Sequence, residues 1–273
     1  MQAGTFRTIL VPTDFSDVSA DALRTANLLR EHCGHGKVVV MYANWFEAPP
    51  YFTSGRLDEL QKEFRESLHL AEESLGAFVR STLGGIPDSV NVRVIEALPA
   101  DGIRRLAALE KPDLIVMGTH GRSGLNRWML GSVAERVLRE STVPVLTVRS
   151  APRRPIRRVL CPVHNTDLSR QALKLAAGIS ACFEASLTVF HVVETSGAKP
   201  YPICATGFPE KRDPDVTFEN WSAREMPPRR SSGWPRKNRT TWWFSERRDG
   251  GSSRAWCWVR LPSGRCATHL AQC

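Results

Sequence analysis

Residues 113–132 read DLIVMGTHGRSGLNRWMLGS, and SVAERVLRES continues from residue 132. An apolar run of strand length passes into a loop with four glycines, two arginines and a histidine, and then into apolar residues at helical spacing. Glycine lets the backbone take positive φ and approach a ligand closely. Gly131 and Ser132 open the helix, whose unpaired N–H groups and positive dipole end attract anions. Arg122 and Arg127 add charge, and His120 is a candidate phosphate neighbour. The same residues also fit a plain strand-to-helix connection with Ser132 as N-cap. No Gly-Lys-Ser/Thr follows, so this is not a Walker loop, nor does GxGxxG follow the first strand.

Outward from this loop the first 150 residues alternate strands and helices. RTILVPTD is a β-branched run ending in turn residues, and DVSADALRTANLLREHC spaces apolar residues as a helix does. KVVVMYAN is a continuous apolar run, the signature of a parallel strand covered on both faces. A long amphipathic helix is expected from Arg56 to about Leu83, then a strand in VNVRVIEA and a short helix in PADGIRRLAALE. DLIVMG, SVAERVLRES and VPVLTV supply a strand, a helix and the last strand. Five strands alternating with four helices give an α/β fold, a doubly wound parallel five-stranded sheet with right-handed crossovers. Ligands of such sheets bind beyond the carboxyl ends of the strands, where the strand order reverses. PTDFSD, YANW and the glycine loop all lie there.

Gly118, Gly121, Gly131 and Ser132 fit G-x2-G-x9-G-S/T, and VPTDFSD follows the first strand. In these motifs residues 5–149 resemble the universal stress protein family throughout. The resemblance implies a Rossmann-like, adenine-nucleotide-binding fold that takes ATP, with or without Mg. It places Asp14 on the ribose or adenine side, the backbone near Met41 and Tyr42 on adenine, and Gly118, Gly121, Gly131 and Ser132 on the phosphates. Asp14 also has a plain role, as an acidic residue close to a helix start.

A second copy begins after residue 150. RRVLCPVHNTDLSRQALKLA repeats the first strand and helix, and SLTVFHVVE resembles the second strand, so the chain is a tandem repeat. His164 stands where Asp14 stood. Beyond HVVE no second glycine loop is written. Reading the third base of each codon with the first two of the next restores one: Trp234, Trp242, Trp243, Trp256 and Trp258 then force Ala, Val, Val, Val and Gly. These fall opposite Ala107, Ile115, Val116, Met129 and Gly131, at a constant offset of 127. The expected organisation is a first domain over 1–150, the N-terminal half of a second over 155–203, and an out-of-frame tail over 204–273. Residues not selected to pack are expected to be disordered.

The net charge of +9 follows the same division. From Ser196 onward there are 14 Lys+Arg against 7 Asp+Glu, so the tail carries +7 and the first 195 residues only +2. A nucleic-acid partner is therefore not inferred, although arginine and tryptophan interleaving would suit single strands. Nothing approaches a membrane span or a signal sequence, and a cytoplasmic protein is expected. Seven cysteines without CxxC spacing read as free thiols, with no metal. No paired carboxylates, Cys/His or Ser/His/Asp set marks a catalytic base, which leaves at most weak ATP hydrolysis.

The function expected is a nucleotide-dependent stress-response module. Its rivals are a dimerisation scaffold of the same fold that binds no nucleotide, and a flavin carrier. Family resemblance also implies a homodimer or a tandem pseudo-dimer through the last strand. With that strand's counterpart written as THLAQC, Val143 to Val148 are expected to lack a partner within the chain and to recruit another.

Overall fold

The computed structural model describes the chain except residues 1–5, 46–53, 122–129, 153–154, 164–166, 194–215, 223–242, 245–256 and 261–273. The first unit runs β1 (Thr8–Thr13), α1 (Asp17–His32), β2 (Lys37–Asn44), α2 (Ser54–Leu83), β3 (Val90–Glu96), α3 (Pro99–Glu110), β4 (Leu114–Gly118), α4 (Ser132–Glu140) and β5 (Val145–Val148). These five strands are parallel in the order β5-β4-β1-β2-β3, so the expected doubly wound sheet is present.

Local sequence explains the elements. β1 and β5 are buried at every position, as strands covered on both faces must be. Successive residues point to opposite faces. Ile9 and Val11 therefore join Leu23, Leu29, Val38, Val40 and Leu75 beneath α1 and α2, whereas Leu10 joins Val39, Met41, Ile103, Ile115 and Val137 beneath α3 and α4. Ser16 caps α1 by accepting from the Ser19 N–H, with Asp17 in the first turn. Pro99 opens α3, where its missing N–H costs nothing.

The second unit runs β6 (Arg158–Pro162), α5 (Asp167–Phe183) and β7 (Ser186–Val193). The register Arg158↔Ser186 repeats Thr8↔Lys37 of the first unit. Within 204–273, where disorder is expected, three strands are described: β8 (Val216–Ser222), β9 (Trp243–Phe244) and β10 (Cys257–Arg260). The remainder of that segment, including THLAQC, lies outside the described residues. β8 pairs parallel with β7, and Leu187↔Val216 stands where Val38↔Val90 stands in the first unit. β9 lies on the free edge of β6, as β4 lies beside β1, but runs antiparallel.

β10 pairs antiparallel with β5, Val148 opposite Cys257 and Val145 opposite Arg260. The expectation that this edge lacks a partner within the chain is thereby corrected: the exposed row of N–H and C=O groups is met by a tail strand. The core joins the units too, since Val159, Cys161, Ala172 and Ile179 belong to the cluster beneath α1.

Candidate functional site

From β1 the chain crosses to β2 and then β3 on one side, and it returns to fill β4 and β5 on the other. The switch point is the crevice between the carboxyl ends of β1 and β4. It brings together Asp14, one residue past β1, and the segment opening at Gly118, the last residue of β4.

Asp14 is fixed by its own turn. Its Oδ1 accepts from the Ser16 hydroxyl at 2.6 Å and the Ser16 N–H at 3.2 Å, while the same hydroxyl caps α1. Phe15 carries φ of 64°, a conformation that costs energy for a bulky residue. It is held there by the Thr13 hydroxyl, which accepts from its N–H at 2.9 Å, and by ring contacts with Tyr42 and Phe78, centroids 4.5 and 5.7 Å away. This twist ends β1 and turns Asp14 toward the glycine loop. A β-carbon on Gly121 would collide with Asp14 Oδ2.

The loop is anchored at both described ends. The Thr119 N–H donates to the Val148 carbonyl at 3.0 Å, and the Gly131 N–H to the Thr119 carbonyl at 2.7 Å. Thr119 Oγ1 and His120 Nδ1 lie 2.8 Å apart. Gly131 is the N-cap of α4 and makes no side-chain cap hydrogen bond, so among the described residues no N-cap side chain covers the start of this nine-residue helix. Ser132 follows, exposed. Arg122 and Arg127 lie outside the described residues, as does His164 at the corresponding place in the second unit.

Met41 and Tyr42 are present at the adjacent strand end but are engaged in the sheet. The Lys37 N–H donates toward β1, to Arg7, and the Val38 N–H toward β3, to Ser89. Alternation directs Met41 to β1 and Tyr42 to β3, inside pairings that extend through Thr13↔Tyr42 and Asn44↔Glu96. The Met41 side chain is buried in the core. Ala43 faces β1 again, where the ladder has stopped. The N–H a longer β1 would offer its carbonyl is that of Phe15, which goes to Thr13 Oγ1 instead. Sequence reasoning passed over Ala43, because backbone direction depends on register and leaves no mark on the side chain.

A separate shallow cavity of about 120 Å³ lies between α3 and α4, lined by Ile103, Ala107, Ile115, Val137 and Thr142, and shares no residue with the crevice. Among the described residues no group of His, Cys, Asp and Glu is placed to hold a metal, and no helix is long and apolar enough to cross a membrane.

The strand order, the crevice at its reversal and the uncapped helix define a doubly wound α/β protein of the Rossmann-like class. The sequence pattern of the universal stress protein family matches residues 5–149, and the chain belongs to that family. Universal stress protein MJ0531 of Methanocaldococcus jannaschii is 34% identical over 148 residues, 53% of this chain and 82% of that protein. The crystal structure of a universal stress protein from Archaeoglobus fulgidus is 23% identical, covering 71% of this chain and 68% of that one with a TM-score of 0.47. A universal stress protein crystallised in complex with cAMP is 25% identical, covering 54% and 99%, with a TM-score of 0.38.

Proposed function

We propose that the first unit binds ATP in the β1–β4 crevice and acts in the cytoplasm as a nucleotide-dependent stress-response module. The observation that carries this reading is the apposition of Gly121 and Asp14 beneath the uncapped start of α4. A glycine-lined cradle, an N–H cluster for phosphate and a carboxylate for a sugar hydroxyl converge within one crevice. In this reading Gly118, Gly121, Gly131 and Ser132 take the phosphates, with Mg²⁺ travelling on the phosphate oxygens, and Asp14 accepts from the ribose. Backbone recognition of the base, expected near Met41 and Tyr42, centres on the carbonyl of Ala43. A carbonyl there accepts from the exocyclic amine of adenine and faces the carbonyl of guanine unfavourably. The chain needs no catalytic base for this role. Tandem pseudo-dimerisation through the last strand is the matching assembly; the β5 edge it would use is met here by β10, which is not the counterpart of that strand.

Calorimetric titration of the full chain with ATP and GTP tests the reading. ATP is expected to bind at least tenfold more tightly than GTP, about 1.4 kcal/mol. Heat-silent titrations with both, supported by an unchanged melting temperature, would leave the scaffold reading in its place.

A further inference from the structure

The two units meet at the ends of their first helices. α1 ends at His32 with Cys33 as its C-cap, and α5 ends in Cys182 and Phe183. Asp17 and Asp167 open these helices 150 residues apart. His32 therefore corresponds to Cys182, and Cys33 to Phe183.

The His32 and Phe183 rings stack with centroids 4.4 Å apart and planes at 15°. Cys182 packs against the buried cluster that contains Cys33, and its side chain lies close enough to that thiol to act on it. Each contact is the other with the units exchanged, the reciprocity of an isologous two-fold interface. The two sulfurs are thus neighbours because the interface is self-complementary, and the stacked rings next to them in sequence hold the helix ends together.

The thiols differ in access. Cys33 is 1% exposed, whereas Cys182 is half-buried and reaches solvent. Burial, reinforced by Cys182, pushes the Cys33 thiol up and keeps it protonated. An oxidant meets Cys182 first, and Cys33 waits behind it.

We propose that Cys33 and Cys182 are a redox pair that hydrogen peroxide or an organic hydroperoxide converts to a disulfide joining the two units. The Cys182 sulfur attacks the peroxide oxygen, the O–O bond breaks, and a sulfenic acid forms with release of water or the alcohol. The Cys33 sulfur then attacks the sulfenic sulfur. Its proton leaves with the departing hydroxide as a second water, and the S–S bond closes. Two thiols lose two electrons and the peroxide gains them. A small-molecule thiol reverses the change by exchange.

The bond closes a long loop and locks α5 onto α1. Its site is the opposite end of α1 from Asp14, so it stands or falls independently of nucleotide binding.

The test uses the reduced full chain, exposed to hydrogen peroxide in modest excess, then alkylated without reduction, digested and mapped by mass spectrometry. The expected product is a cystine-linked pair of peptides carrying Cys33 and Cys182, lighter by two hydrogens and absent after reduction. Oxidation is expected to raise the melting temperature by about 5 °C or more. In Cys182→Ser, Cys33 is expected to resist peroxide and be recovered as a free thiol. In Cys33→Ser, Cys182 has no resolving partner and is expected to proceed to the sulfinic acid. Recovery of both thiols alkylated after peroxide overturns the proposal, as does a map in which Cys182 is joined chiefly to a tail cysteine or to a second chain. The wild-type map decides between these outcomes even where a variant fails to fold.

Discussion

Gly121 lies against the carboxylate of Asp14 so closely that a β-carbon on the glycine would collide with Oδ2. Asp14 cannot simply swing aside, because Oδ1 holds the Ser16 hydroxyl and N–H that begin α1. Gly121→Ala is therefore expected to displace the carboxylate and narrow the crevice. ATP affinity should fall at least tenfold, about 1.4 kcal/mol. At Gly131 a β-carbon would sit 3.4 Å from His120 Cα, an ordinary contact, so Gly131→Val should fold yet obstruct the phosphate path to a similar degree. Titration calorimetry beside circular dichroism checks both. Unchanged affinity in folded variants removes the phosphate assignment.

The role of Asp14 is separable from its turn. Asp14→Asn keeps an oxygen to accept from Ser16 but loses the charge, whereas Asp14→Ala loses both. If the carboxylate meets a ribose hydroxyl, the wild-type chain should prefer ATP over 2′-deoxy-ATP by about tenfold, and Asp14→Ala should bind the two equally, closing a double-mutant cycle. A discrimination that survives in Asp14→Ala places the contact elsewhere.

A pH effect is expected away from the crevice. Lys37 Nζ stands 2.8 Å from Glu110 Oε2 and holds the Glu110 carboxyl below the usual carboxylate range. A folded value lowered in this way contributes stability that is fully present above the unfolded value, about 4.3. That stability is lost as pH falls through the folded value. Because Lys37 keeps 42% of its side chain in solvent, screening holds the pair to about 0.5 kcal/mol. Lys37→Gln should lower stability by about that amount at pH 7 and leave it unchanged at pH 2. Urea titrations at the two pH values measure this. An equal loss at both would make the effect one of packing.

Side-chain pattern carried most of the fold. α3 lies where Pro99 and the spacing of Ile103 and Leu106 put it, and β1, β2 and β4 coincide with the apolar runs. The helix expected from Arg56 begins at Ser54, and the last strand is shorter than VPVLTV because the Ser141 hydroxyl turns the chain at Val143, with Pro144 following. Asp14 and Gly121 were readable as types, yet their contact needs β1 beside β4, which only the sheet supplies. Ala43 and β10 left no comparable trace. One depends on which way a backbone carbonyl faces, the other on an open edge that accepts strands through backbone groups common to all sequences.

That edge supports a last prediction. β5 is an apolar strand, buried at all four positions, and its outer row of backbone groups is met by Cys257–Arg260. Main-chain pairing of this kind makes little demand on side chains, so a tail segment that departs from the repeat pattern can still occupy the edge. The intact chain is accordingly expected to be monomeric. A chain ending at residue 242 loses β9 and β10 together and presents Val145–Val148 unpaired, along with the free edge of β6. It should dimerise or aggregate as concentration rises, which light scattering coupled to size exclusion would show. Replacing Val259 with Pro is the finer test. Proline removes one N–H and is excluded from regular strand pairing, so this variant should weaken the β5 contact while leaving the tail in place. If both altered chains remain monomeric at concentrations where the intact chain does, the edge is protected by something other than β10.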